Sequence, residues 1–244
     1  MIKIENDNIY GWDAAIRGMR NPMNSWSKSD STECVWVDCG HCQEKERVSV
    51  KKLKESSPCF FIGENDLKLM RNLAKAGTDH SKFTRMITVT CDITAPLYYW
   101  KQFDTYKVGT TTNSCSTMHK IQEKEFTLDD FSYEHLVADG VKMMEQIIEA
   151  LNDARELYNN FDYYEKSRKL HPAITSKKMV WWQMIQLLPS SYNQRRTVQL
   201  NYEVLRKIYF ARKNHKLDEW HTFCDWIESL PYFKEIFLES SENE

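Results

Sequence analysis

At 244 residues and 41% hydrophobic content the chain can bury a sizeable core, and 33 basic against 35 acidic residues leave a formal charge of -2. That balance excludes a global field that recruits nucleic acid, so any anion site must be local. Only 7 Gly and 6 Pro argue against a loop-rich β sandwich, and 7 Cys, odd in number and unevenly spread, suit reduced thiols or a metal better than a disulfide framework. No leader-like start and no run approaching about 18 apolar residues is seen, so a cytoplasmic protein without membrane contact is expected.

Ile2 and Ile4 alternate with charged residues as a short edge strand does, and Trp12 to Met19 reads as a brief helix. Arg20 to Ser31 is a polar connection. Cys39-Gly-His-Cys42 then has the spacing of a zinc knuckle, which Cys34 and Cys59 can complete as a structural four-cysteine site with no open position. The other reading is a surface insertion of reduced cysteines, at about 32–60. Gly63 to Ala76 is a helix with Asn65 or Asp66 as N-cap and Gly77 as its stop. His80 falls in a polar turn, and Arg85 to Asp92 alternates as a strand.

An aromatic helix is expected from Thr94 as N-cap to Gly109, followed by a polar loop, Thr110 to Thr117, rich in hydroxyls. Such a loop hydrogen-bonds a polar ligand, caps a neighbouring turn or is merely solvated. Lys107 is its nearest cation, and Cys115 has no base visible in the sequence to make it a nucleophile. Thr127 to Asp130 forms a capping box ahead of a long stripe, Phe131, Leu136, Val141, Met144, Ile147, Ile148 and Leu151. Lys177 to Leu188 is an apolar helix stopped by Pro189, and Tyr192 to Arg212 and His215 to Leu230 read as further helices. In the first of these Asn201 and Arg212 share the stripe of Val198, Leu205 and Ile208. A buried amide and guanidinium there either satisfy helix ends or face a ligand bearing amide and phosphate groups.

The order of these elements, with Ala95-Pro96, the loop Asn113 to Ser116, Leu188-Pro189 and Asn201 to Arg212, resembles the flavin-dependent thymidylate synthase family over most of the chain outside the cysteine insertion. The resemblance implies an α/β fold: a helix-rich single domain over 1–238 with a small, mainly antiparallel sheet, the tail 239–244 frayed. It implies a homotetramer that binds FAD between subunits and methylates deoxyuridine monophosphate, with NADPH and methylenetetrahydrofolate entering only with an active enzyme. The family's Arg-His-Arg triplet aligns to Thr105-Tyr106-Lys107, where only Lys107 keeps the charge, and its loop Asn and Ser to Asn113 and Ser116, with Ser114 and Met118 at charged positions. By the same alignment His80, Asn113, Asn201 and His215 are flavin contacts, Lys107, Ser114, Ser116 and Arg212 line the pyrimidine nucleotide, and Lys107 and Ser116 are the catalytic candidates. Two readings follow: one-carbon transfer to the nucleotide, or a non-catalytic protein that binds or sequesters it on the same scaffold.

Overall fold

The computed structural model describes residues 2–34 and 59–239. It is a helix-rich α/β protein with a small, mainly antiparallel sheet. The strands are β1 (Lys3–Tyr10), β2 (Thr32–Cys34), β3 (Cys59–Phe61), β4 (Thr88–Pro96), β5 (Thr111–Ser114) and β6 (Asn193–Asn201). The helices are α1 (Trp12–Arg20), α2 (Glu64–Lys75), α3 (Leu97–Phe103), α4 (Thr117–Lys120), α5 (Ala138–Asn159), α6 (Phe161–Lys166), α7 (Lys177–Leu187), α8 (Tyr202–Arg212), α9 (Asp218–Glu228) and α10 (Phe233–Phe237). Four strands form a sheet in the order β1-β4-β6-β5, and β2 pairs antiparallel with β3. Among the described residues no helix is long and apolar enough to cross a membrane.

The chain divides into two compact units. One comprises Met1–Lys3, Ile93–Thr105 and Asn113–Arg196. Its core is the packing of α5 on α7, where Met144, Leu151 and Met184 meet Ile121, Phe126 and Phe131. The stripe Met144, Ile147, Ile148, Leu151 explains why α5 forms, since it gives the helix one apolar face. The helix starts later than its sequence suggests. The Thr127/Asp130 capping box is present but opens a single turn, Leu128–Asp130, after which Phe131 bridges to Tyr192 in an extended conformation. Leu136 is therefore exposed rather than on the stripe.

The other unit comprises Ile4–Asp92, Tyr106–Thr112 and Thr197–Glu244. Trp12 of α1 packs edge-on against Tyr202 and Tyr232, with ring centroids 5.3 and 5.7 Å away, and Tyr202 stacks toward Phe233 at 5.9 Å. The phenol of Tyr202 donates to the Pro231 carbonyl at 2.7 Å, so the buried hydroxyl has its partner. Asp92 of β4 accepts from Asn6 of β1 at 2.9 Å and from Thr197 of β6 at 2.6 Å, tying three neighbouring strands through one carboxylate.

Helix α2 ends at Gly77, in the left-handed region at φ 105°, as its sequence indicates. Its start differs. Neither Asn65 nor Asp66 is the N-cap; the Asp30 carboxylate, from the loop before β2, accepts the Asn65 and Asp66 backbone N–H groups at 2.9 and 3.1 Å. Gly63, at the cap, has no room for a side chain because a Cβ would lie 2.1 Å from Asp30 Cγ.

Gly11 precedes α1 at φ 93°, and a Cβ there would sit 2.1 Å from the Met86 carbonyl oxygen. Both the left-handed conformation and the backbone contact require glycine. Gly11→Ala is expected to lower folding stability by about 1–3 kcal/mol, the cost of a strained backbone position, measured by urea denaturation.

Candidate functional site

The aromatic helix is shorter than its composition suggests. Thr94, Ala95 and Pro96 continue β4, α3 covers only Leu97–Phe103, and Gly109 is a turn residue at φ 79° rather than a helix stop. Burial alternates along β4 and carries the strand past Thr94, since Ile93 and Ala95 are wholly buried. Tyr106 to Thr110 is consequently free of the helix and lies along α8. At one end the Arg212 Nε–H donates to the Tyr106 hydroxyl at 2.8 Å; at the other, a Cβ on Gly109 would lie 3.0 Å from Asn201 Nδ2 and 3.1 Å from Val204 Cγ2.

Asn201 and Arg212 do not sit on one stripe of a helix running from Tyr192. Residues 193–201 are β6, with Gln194, Val198 and Leu200 buried at period two, and the helix begins only at Tyr202. Asn201 is its N-cap, its side-chain oxygen accepting the Val204 N–H at 3.0 Å. That leaves the amide nitrogen toward Gly109. Thr110 Oγ1, next in the loop, is sequestered from solvent with no protein hydrogen-bond partner, which leaves a donor and acceptor for another group.

Around Arg212 the guanidinium carbon lies 4.9 Å from the Trp220 ring and 5.6 Å from the Tyr106 ring, and those rings meet edge to face at 6.1 Å. His215 follows in the turn after α8, its ring 6.3 Å from Trp220 and its Nδ1 accepting the Leu217 N–H at 3.1 Å. Burial and the positive charges of Arg212, His221 and Lys216 hold the His215 imidazole below its usual range, which agrees with a neutral Nδ1 acting as acceptor. Lys107 is exposed, as is His80, whose backbone N–H closes a turn onto the Gly77 carbonyl at 3.1 Å.

The hydroxyl-rich stretch is not a loop throughout. Thr111–Ser114 is the exposed strand β5, so Asn113 and Ser114 lie on it, and Ser116 caps the short α4 by accepting the His119 N–H at 3.2 Å. Within their unit the Cys115 backbone is clasped from both sides: its N–H donates to the Arg195 carbonyl at 3.0 Å and its carbonyl accepts from the Gln194 side chain at 2.9 Å. Gln194 in turn accepts from Arg196 Nε at 3.0 Å. The same guanidinium binds Asp104 at 2.7 Å and lies 4.2 Å from the Trp100 ring. Tyr106, Trp220 and Arg196 are given no role by the sequence, because the partners of Tyr106 and Arg196 lie 106 and 92 residues away in the chain.

Cys34 and Cys59 are register partners across the β2-β3 ladder. Cys39 and Cys42 lie outside the described residues, and among the described residues no group of three or more His, Cys, Asp or Glu is arranged to hold a metal.

No protein-family profile matches the sequence, and no curated protein matches it. Solved structures do resemble it. The flavin-dependent thymidylate synthase ThyX from Helicobacter pylori, complexed with FAD and dUMP, superposes with a TM-score of 0.60 at 13% identity, covering 97% of this chain and 98% of the other. The UMP/dUMP methylase PolB from Streptomyces cacaoi, bound with 5-Br dUMP, gives 0.52 at 12% identity, covering 97% and 94%. At these identities the likeness establishes the fold: the chain has a ThyX-like fold over nearly its whole length.

Proposed function

We propose that the chain binds a pyrimidine deoxynucleotide of the dUMP type, and FAD, on its ThyX-like scaffold. The observation that carries this reading is the loop Tyr106 to Thr110 laid along α8. With the turn after α8, which carries His215, it sets Asn201, the orphaned Thr110 hydroxyl, Arg212 and His215 in one unit, and three of these are positions that the resemblance assigns to ligand. Arg212 supplies a guanidinium suited to a phosphate, whose planar fork matches two oxygens at once. Asn201 Nδ2 and Thr110 Oγ1 supply neutral donors and an acceptor suited to a ring or ribose, and Lys107 an exposed cation. His80, Asn113 and His215 complete the proposed flavin contacts, and Ser114 and Ser116 the nucleotide contacts. FAD, when bound and reduced, would supply the hydride for one-carbon transfer to the nucleotide, with Lys107 and Ser116 as the catalytic candidates.

Two dispositions of the assembly belong to this reading. The site would lie between subunits of a homotetramer, supported by α7, which is apolar on several faces and leaves Met179, Trp182 and Leu187 exposed at 38%, 42% and 47%. Cys34, Cys39, Cys42 and Cys59 would hold a structural zinc, supported by the register that sets Cys34 opposite Cys59.

The second reading, a nucleotide-binding or sequestering protein without turnover, is favoured by the triplet. Tyr106 stands in its middle and is engaged with Arg212, and Lys107 alone keeps a charge. One preparation tests the ligand and zinc readings, and its molar mass by light scattering tests the tetramer. Freshly purified protein is expected to be yellow, or to gain thermal stability with added FAD or dUMP, and to carry zinc by elemental analysis. A colourless protein with no thermal shift from either ligand defeats the nucleotide and flavin reading; ligand binding with no tritium release from labelled dUMP selects the non-catalytic one.

A further inference from the structure

We propose that Tyr106 is a positioning residue: its hydroxyl and ring orient the Arg212 guanidinium toward a phosphate-bearing ligand. This rests on the nucleotide reading above and deepens it. Arg212 ends α8, where an arginine side chain otherwise samples many rotamers, and a guanidinium binds a phosphate well only when its planar fork is held in the right orientation. Among its described contacts, two constrain it independently. The Nε–H bond to the Tyr106 hydroxyl, 2.8 Å long, fixes the pivot of the guanidinium. The Tyr106 and Trp220 rings, 5.6 and 4.9 Å from its central carbon and edge to face with one another, restrict its plane.

Tyr106 is itself held. Three residues on, Gly109 is turned to φ 79° and closes on Asn201 and Val204 so tightly that a Cβ would meet atoms at 3.0 and 3.1 Å, pinning the loop to α8. A phenol contributes an acceptor without a negative charge, so Tyr106 orients the cation without itself weakening the local positive field. Beside it the His215 imidazole is lowered first by burial and then by Arg212, His221 and Lys216. The sequence change is thus physically coherent. The aligned triplet loses charge at Thr105 and Tyr106, and at Tyr106 the new side chain bonds the one guanidinium assigned to the phosphate.

The test titrates the full chain, by calorimetry, with dUMP, deoxyuridine and inorganic phosphate, comparing the wild type with Tyr106→Phe, Tyr106→His and Arg212→Lys. Tyr106→Phe keeps the ring and loses the acceptor. It is expected to weaken dUMP and phosphate about ten- to a hundredfold, the scale of one hydrogen bond to a charged group, and to reduce the preference for dUMP over deoxyuridine in the same proportion. Tyr106→His restores most of that preference above about pH 7, where a neutral imidazole accepts the Nε–H. Arg212→Lys abolishes the preference and is not worsened by adding Tyr106→Phe.

A phenol that serves only to fold the loop would lower the melting temperature and weaken dUMP and deoxyuridine alike, which overturns the proposal. So does a Tyr106→Phe protein that keeps the wild-type preference while dUMP still binds, and in that case the nucleotide reading stands. If phosphate binding depends on Arg212 and Tyr106 but dUMP binds no better than phosphate, the positioning role stands and the nucleotide reading falls. A wild type that binds none of the three removes both.

Discussion

Asp66→Ala is expected to remove about 3–5 kcal/mol of folding stability, the cost of leaving a buried charge without its partner. Asp66 is fully buried, and the Arg20 guanidinium that binds it at 2.7 Å through Nε is 4% exposed. Neither group has water to fall back on. The carboxylate is saturated: its second oxygen accepts from the Ser29 and Ser31 hydroxyls at 2.7 and 2.6 Å and from the Asp30 N–H at 3.1 Å. Arg20 spends its other nitrogens on the Ser25 and Lys28 carbonyls at 3.1 and 3.0 Å. One carboxylate and one guanidinium therefore hold the loop from Asn21 to Ser31 against α1 and α2, and removing the carboxylate orphans two hydroxyls, one backbone donor and a cation together.

Equilibrium unfolding in urea measures the loss. Asp66→Asn, which keeps the shape but not the charge, is expected to cost about 2–3 kcal/mol, and equality of both variants with wild type would refute the role assigned to the pair. The same residue sets an acid dependence. Burial by itself raises the Asp66 carboxyl, but the bonds from Ser31, Ser29, Arg20 and the Asp30 N–H outweigh it and hold the carboxyl below its usual value. With the folded value below the unfolded one, the contribution is complete above about pH 4 and is lost as pH falls through the folded value. Wild-type stability should accordingly drop on acidification below about pH 4 by more than that of Asp66→Asn.

Trp100→Ala is expected to cost a comparable amount, about 3–5 kcal/mol, by leaving a cavity in the packing of α3. The indole is 1% exposed, wedged edge-on between Tyr99 and Phe103 with centroids 5.6 and 5.2 Å away. Its Nε1–H donates to the Gln194 carbonyl at 2.9 Å, and Arg196 covers its face at 4.2 Å. Trp100→Phe retains most of the ring and loses the donor, so about 1–2 kcal/mol is expected, from one unpaired carbonyl and a smaller void. Thermal unfolding followed by near-ultraviolet circular dichroism should show the alanine variant melting roughly 10 °C or more below wild type. A shift no larger than that of the phenylalanine variant would mean that the surrounding rings close the cavity.

Several elements were legible because their information is local. The stop of α2 at Gly77 and the stop of α7 before Pro189 follow from backbone preferences of single residues, and both are where the sequence puts them. The edge position of β1 was legible in the alternation of Ile2 and Ile4 with charge. Errors arose where two periods coincide. Val198, Leu205 and Ile208 fit a helical stripe as well as they fit a strand followed by a helix, and nothing in the stretch from Tyr192 to Arg212 marks the change at Asn201 except a residue that also reads as buried amide. The choice is made by partners far away in the chain, among them the Ile87 carbonyl, which accepts the Tyr202 N–H at 3.0 Å.

By itself the sequence determined where several helices and the edge strand lie, because periodicity and caps are properties of neighbours along the chain. The helix-rich α/β class with a small sheet came from the order of those elements through the family resemblance. Only the tertiary structure decided which residues are partners. Asp30 caps a helix 35 residues away, and Tyr106 takes hold of a guanidinium 106 residues away. Such pairings are fixed by how the chain closes on itself, and closure at that separation leaves no trace in local sequence.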